Sequence, residues 1–187
     1  EEAMSGVPFR QVARSLKMFA RALCGEDVAL EGISENSGVS TATGHTPEGL
    51  SSGKAQVSAD GKTVYLPLVM RRSATREGNR RWYTVMVAHE VGHLEFGTYA
   101  LSHQVLQQLI TKTTARYDTI AHDPQSTVQT LGHFFQCYPQ PGIIRDLWEI
   151  VEDARIDFLL CREYPGLQED LRSLTKEAMD LRTLSHG

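Results

Sequence analysis

Apolar positions along this chain recur at two different periods. Residues 8–24, PFRQVARSLKMFARALC, place Phe9, Val12, Ala13, Leu16, Ala20 and Leu23 at helical steps with basic residues between them. That pattern predicts an amphipathic helix opened by Pro8 and closed by Gly25. Residues 63–70, TVYLPLVM, follow a turn at Asp60-Gly61 and read as a strand. Pro67 has no N–H for a ladder, which argues for an edge position whose free backbone groups could pair with an extended peptide. Residues 82–99, WYTVMVAHEVGHLEFGTY, read as one continuous helix, and Trp82, Tyr83, Val85, Met86, Val87, Val91, Leu94 and Phe96 imply deep burial. Gly97 is expected to bend the chain before a helix within 100–117. Further helices are predicted at 126–138 and 143–163, separated by Pro139-Gln140-Pro141-Gly142. Pro165-Gly166 precedes a last amphipathic helix at 167–184.

The intervals are polar. Residues 31–62 are rich in Gly, Ser, Thr and Asn and predict a loop-rich stretch with a short strand inside 54–58. Residues 71–81, RRSATREGNRR, carry five arginines and predict a solvated loop, with contact to an acidic partner as the sharper reading. The expectation is an α+β, predominantly helical fold in a single domain over 1–187, with 1–7 a disordered or added tail. A hydrophobic content of 41% suffices for a core at this length.

Charge and cysteine usage narrow the function. A net charge of −4 gives no general case for nucleic acid or an anionic membrane. No apolar run approaches the roughly 20 residues of a membrane span, so no membrane insertion is expected. The first residues, EEAMSGVPFRQ, lack the form of a signal peptide. Cys24, Cys137 and Cys161 are odd in number and far apart, which reads as reduced thiols and a cytoplasmic location. Gly61-Lys62-Thr63 resembles the end of a phosphate-binding loop, but Gln56 stands where its first glycine is required.

The chemistry concentrates in His89-Glu90-Val91-Gly92-His93. Two histidines four apart on a helix project from one face at adjoining turns and can reach one metal ion. Glu90 beside them is placed to act as general base on a water activated by that ion. Buried without partners, the three side chains would cost several kcal/mol in desolvation, a cost that bound Zn2+ relieves. A catalytic zinc site takes three protein ligands. A third histidine ten residues after the first is excluded, since that position is Tyr99. The helix 143–163 offers Glu149, Glu152, Asp153 and Asp157 instead. Glu149 and Asp153 fit Glu-x-x-x-Asp, with Glu149 as ligand and Asp153 accepting the outer N–H of a histidine. Glu152 on the neighbouring face is an alternative ligand. So is Asp153, with Asp157 then in support. The bland reading is that these acids pair with Arg145 and Arg155. His103, His122 and His133 are spare histidines, and Tyr99 and His133 are donors by residue type alone.

The segments AHEVGHLEFGTY and LWEIVEDARIDFLL resemble the zincin-like region of bacterial proteins of the nitric oxide reductase activation family, over roughly residues 60–165. The resemblance implies a zincin-like metallopeptidase fold, His89 and His93 as metal ligands, Glu90 as general base and the Glu149–Asp157 helix as source of the third ligand. It also implies work alongside a von Willebrand factor A domain and a MoxR-type AAA+ ATPase. The chain carries neither the Asp-x-Ser-x-Ser motif of the one nor the Walker A loop of the other. Two functions follow as expectations: hydrolysis of peptide bonds in a peptide or protein substrate, or a non-catalytic zinc-binding accessory role in activating a larger complex.

Overall fold

In the computed structural model residues 6–33, 56–57, 63–98, 100–118, 130–173 and 176 are described. Residues 1–5 of the expected tail, most of the loop-rich stretch, Tyr99, His122 and the outer parts of the helices expected at 126–138 and 167–184 lie outside them. The chain forms two compact units. One comprises Glu1–Phe96 with Ile156–Gly187, the other Gly97–Arg155.

The first unit opens with β1 (Val7–Pro8) and α1 (Phe9–Cys24). Val12, Leu16 and Ala20 fall at four-residue steps and form the buried stripe of α1. Gly25 ends the helix at φ 71, a left-handed conformation open to glycine, and donates its N–H to the Arg21 carbonyl at 3.0 Å. Val7 is fully buried, so the core begins inside the stretch expected to be a tail.

Three strands, β2 (Ala29–Ile33), β3 (Gln56–Val57) and β4 (Thr63–Pro67), form a sheet in the order β2-β4-β3. β2 runs parallel to β4, from Ala29↔Thr63 to Ile33↔Pro67, and β3 runs antiparallel to it. Within β4 the alternation holds, with Val64 and Leu66 buried.

The expected edge strand over 63–70 is corrected in two ways. β4 is central, and the run splits at Leu68, after which β5 (Val69–Met70) pairs with β1 in a separate two-stranded sheet. Among the described residues β3 pairs with Val64 and Tyr65 alone, so none of them faces Pro67 on that side. The chain hands over at Leu68, whose N–H meets the Ile33 carbonyl at 3.1 Å and whose carbonyl accepts from Phe9 N at 2.8 Å.

α2 (Arg76–Glu95) is the spine of this unit, packing on α1 and β4. It begins earlier than expected, so half of the predicted basic loop is helix. Thr75 caps it by accepting from Gly78 N at 3.0 Å, and Glu77 meets Arg80 and Arg81 across one turn at 3.9 and 4.0 Å. Buried Asn79 accepts from Ser73 N at 2.8 Å and donates to Ser73 O at 2.9 Å, tying that turn to the preceding residues. Tyr83, with no exposed surface, donates to the Pro67 carbonyl at 2.7 Å, and the Val7 carbonyl lies 3.2 Å away. Where α2 ends, Phe96 N–H closes on Gly92 O at 2.9 Å.

The second unit opens at Gly97, at φ 70, and contains α3 (His103–Tyr117), α4 (Leu131–Gln136) and most of α5 (Pro141–Glu163). Leu106, Ile110 and Cys137 form its core with Leu131 and Phe134, and Phe135 packs on Trp148 with ring centroids 5.7 Å apart. Pro141, expected within a break, is the first residue of α5, where its fixed φ suits a helix start. α5 continues without interruption to Glu163, and its last turns join the core of the first unit through Ile156 and Leu160. No helix among the described residues is long and apolar enough to cross a membrane.

Candidate metal centre

The α2 helix carries His89, Glu90 and His93 in its last turns. Apolar neighbours bury this stretch: Val87, Ala88 and Val91 have no exposed surface. His93 is itself buried, while His89 and Glu90 are half-buried. Gly92 allows α5 to approach closely. A Cβ at that position would stand 2.8 Å from Ile156 Cγ2 and 3.4 Å from Leu160 Cδ1.

That close approach brings Asp157 to His89. The His89 Nδ1–H donates to Asp157 Oδ1 at 2.8 Å. An ionised carboxylate can only accept, so the bond assigns the proton to Nδ1 and leaves the lone pair on Nε2. Nε2 of His89 and Nε2 of His93 lie 3.2 Å apart, with the rings edge to face at 80°. Two nitrogens bound tetrahedrally to zinc at about 2.0–2.1 Å would be separated by about 3.3 Å. That separation suits one zinc ion shared by the two nitrogens, and equally an N–H···N hydrogen bond between the rings.

Asp153 lies one turn before Asp157 on the uninterrupted α5 helix and is exposed. One ligand atom from each of His89, His93 and Asp153 lies within 4.8 Å of the other two. Two imidazole nitrogens and one carboxylate oxygen form a donor set suited to zinc. Asp157 holds the Nδ1 of His89.

The other carboxylates of α5 are placed differently. Glu149 is half-buried on α5 and stands outside this group of three. Glu152 is engaged within its own unit. It accepts from Arg155 Nε at 2.8 Å and from Arg155 Nη2 and Thr98 Oγ1 at 2.6 Å each. The bidentate bond to Glu152 raises the Arg155 guanidinium further above its ordinary value. This pin between Thr98 and α5 is the bland pairing considered for Arg155, and nothing in the sequence singles out Thr98 as its third member. His133 caps α4, its Nδ1 accepting from Thr130 N at 3.1 Å, and His103 is exposed at the start of α3. At the end of α2, Tyr164 donates to Glu95 Oε1 at 2.8 Å, a contact that sequence spacing does not announce.

Comparison with protein-family models, with characterised proteins and with solved structures returned no match to this chain.

Proposed function

We propose that this chain is a zinc-dependent metallopeptidase-like domain of zincin type. Its zinc would be held by His89, His93 and Asp153, with Asp157 positioning His89 and Glu90 serving as general base. The observation that carries this reading is the 3.2 Å approach of two Nε2 atoms, with the His89 proton placed on Nδ1 by Asp157. Bound zinc supplies a Lewis acid that polarises a peptide carbonyl and acidifies water. The protein residues do the rest. Asp157 keeps the His89 ring in one tautomer and orientation. Glu90, next to the first ligand histidine, accepts a proton from the attacking water on its carboxylate and returns it to the leaving amine. The apolar wall of Val87, Ala88 and Val91 keeps bulk water from the buried side of the site, which strengthens each electrostatic contact.

The test separates binding from chemistry. Glu90→Gln is expected to retain one zinc per chain by elemental analysis while peptide hydrolysis falls by at least about 100-fold. His93→Ala should lose the metal. Full turnover by Glu90→Gln would remove the assignment.

A second reading, a zinc-binding accessory domain without catalysis, is favoured by one feature of the second unit. Ile143, Leu147, Ile150 and Val151 stand on α5 at 53–68% exposure, as on a surface made for a partner. It predicts bound zinc with no hydrolysis in the unsubstituted chain.

A further inference from the structure

A groove of about 660 Å³ in the first unit is lined by the last turns of α5 and by Gln168, Leu171, Arg172 and Lys176. One end is Asp157, the residue that holds His89. Its apolar lining is Phe158, 64% exposed, buried Leu171 and half-buried Cys161. Its rim is cationic, with Arg162, Arg172 and Lys176. This concentration of positive charge stands out in a chain of net charge −4.

Among the described residues, ion pairs leave Arg172 and Lys176 available. Arg162 is paired with Glu163 at 2.6 Å. Asp170 is directed to Arg81 on α2 at 3.5 Å, and Asp157 to His89. Arg172 and Lys176 have no ion-pair partner among the described residues, and both are exposed. A large aromatic ring left more than half exposed in the same groove as two cations without an ion-pair partner among the described residues matches a ligand with an apolar side chain next to carboxylates. Polyanions such as nucleic acid fit less well, since the cations flank an apolar floor instead of forming a continuous track.

We propose that this groove is a substrate subsite selecting acidic-apolar peptide segments, with an apolar side chain on Phe158 and Leu171 and adjacent Asp or Glu side chains against Arg172 and Lys176. The inference rests on the metallopeptidase reading, because the groove gains its role from ending at Asp157, one ring away from the metal ligand atom of His89.

Calorimetric titration of the full chain carrying Glu90→Gln tests it, so that a bound peptide is not consumed. The probes are an acetylated, amidated decapeptide with Leu-Glu-Glu at its centre and its Leu-Gln-Gln twin. The acidic peptide is expected to bind roughly 5- to 10-fold more tightly, with the difference shrinking as salt rises. Arg172→Gln with Lys176→Gln should abolish the difference, and Arg172→Glu with Lys176→Glu should shift preference to a Leu-Lys-Lys twin. That gain of preference cannot come from misfolding. Equal affinity for the acidic and amide twins overturns the subsite, as does a preference that survives both pairs of substitutions. Zinc measured on the same samples separates the two ideas. Charge discrimination in a chain that takes up no zinc overturns the peptidase reading and the substrate role together. Zinc uptake without charge discrimination overturns the subsite alone.

Discussion

Asp157 is the residue on which the geometry of His89 turns. A neutral amide in its place keeps the shape but removes the charge that raises the basicity of the ring. Asp157→Asn is therefore expected to lower zinc affinity 10- to 100-fold, read by competition with a chromophoric chelator. An unchanged affinity would take Asp157 out of the site. Tyr83 is a second residue whose environment has a measurable consequence. Burial pushes its phenol from 10.0 up to about 12, against a smaller opposing contribution from a backbone hydrogen bond at Met70. Between these values the unfolded chain has released the proton that the folded chain retains. The contribution is thus fully present below pH 10 and is lost as pH rises toward 12. At pH 11 the loss from Tyr83 is about 1 kcal/mol. Tyr164, also pushed up to about 12 by burial and by its bond to Glu95, acts in the same direction. Urea midpoints at pH 8 and pH 11 should fall further apart in the unsubstituted chain than in Tyr83→Phe. Tyr83→Phe itself should lose about 1–2 kcal/mol at neutral pH, because the buried Pro67 carbonyl loses its donor. Equal pH sensitivity in both chains would show that Tyr83 does not titrate differently on folding.

Two helices make the site, and the contact between them depends on an absent side chain. Gly92 reads from the sequence as one of the two free positions of His-Glu-x-x-His, yet it is where α2 meets Ile156. Gly92→Ala places a methyl 2.8 Å from Ile156 Cγ2, inside the closest approach that packed carbons adopt. α5 must shift or Ile156 must leave its rotamer. The expected cost is about 1–3 kcal/mol, despite the gain in helix propensity, together with weaker zinc binding as Asp157 moves off His89. A variant as stable as the parent, or one with intact zinc affinity, would refute this account of Gly92. The same contact explains what was legible beforehand. The 3.6-residue period locates α1, which buries the stripe Val12, Leu16 and Ala20, whereas α2 is legible as a long apolar run buried on several faces; the His89–His93 spacing is a property of a single helix. The register of α5 against α2 is not local. Spacing within α5 cannot say which of its carboxylates faces α2, whereas the packing at Gly92 accompanies the bond from His89 to Asp157. Pro67 misdirected the reading of its strand for a related reason, since a missing donor says nothing about where the neighbouring strand stops.

The two units differ most in how much apolar surface they close off. The first gathers Val7, Leu16, Ala20, Val64, Leu66, Met70, Tyr83, Val87, Val91, Ile156 and Leu160 into one core, most of them with essentially no exposed surface. Among the described residues the second gathers Leu106, Ile110 and Cys137 with partly covered neighbours, supplemented by Phe135 on Trp148 and the Thr98–Glu152–Arg155 pin. Composition alone does not reveal that division, because both units draw on the same amphipathic helices and differ in how fully their stripes are covered. Leu101, Val105 and Leu109 on or beside α3, and Ile143, Leu147, Ile150 and Val151 on α5, keep 38–68% of their surface exposed. Opening free energy follows the apolar contacts a segment must break. Amides of α3 and α4 are therefore expected to exchange hydrogen through openings at least about 2 kcal/mol cheaper than those of α1 and the middle of α2, roughly a 30-fold difference in protection. Zinc should widen the gap. Held by His89 and His93 as proposed, it would stabilise the state in which α2 is formed, adding roughly 2.7 kcal/mol at a free concentration 100 times the dissociation constant. Hydrogen exchange followed by mass spectrometry, with zinc and with a chelator, measures both quantities. Equal protection of α2 and α3 without metal would show that core size does not set local stability here. A zinc-independent α2 would count against His89 and His93 as its ligands.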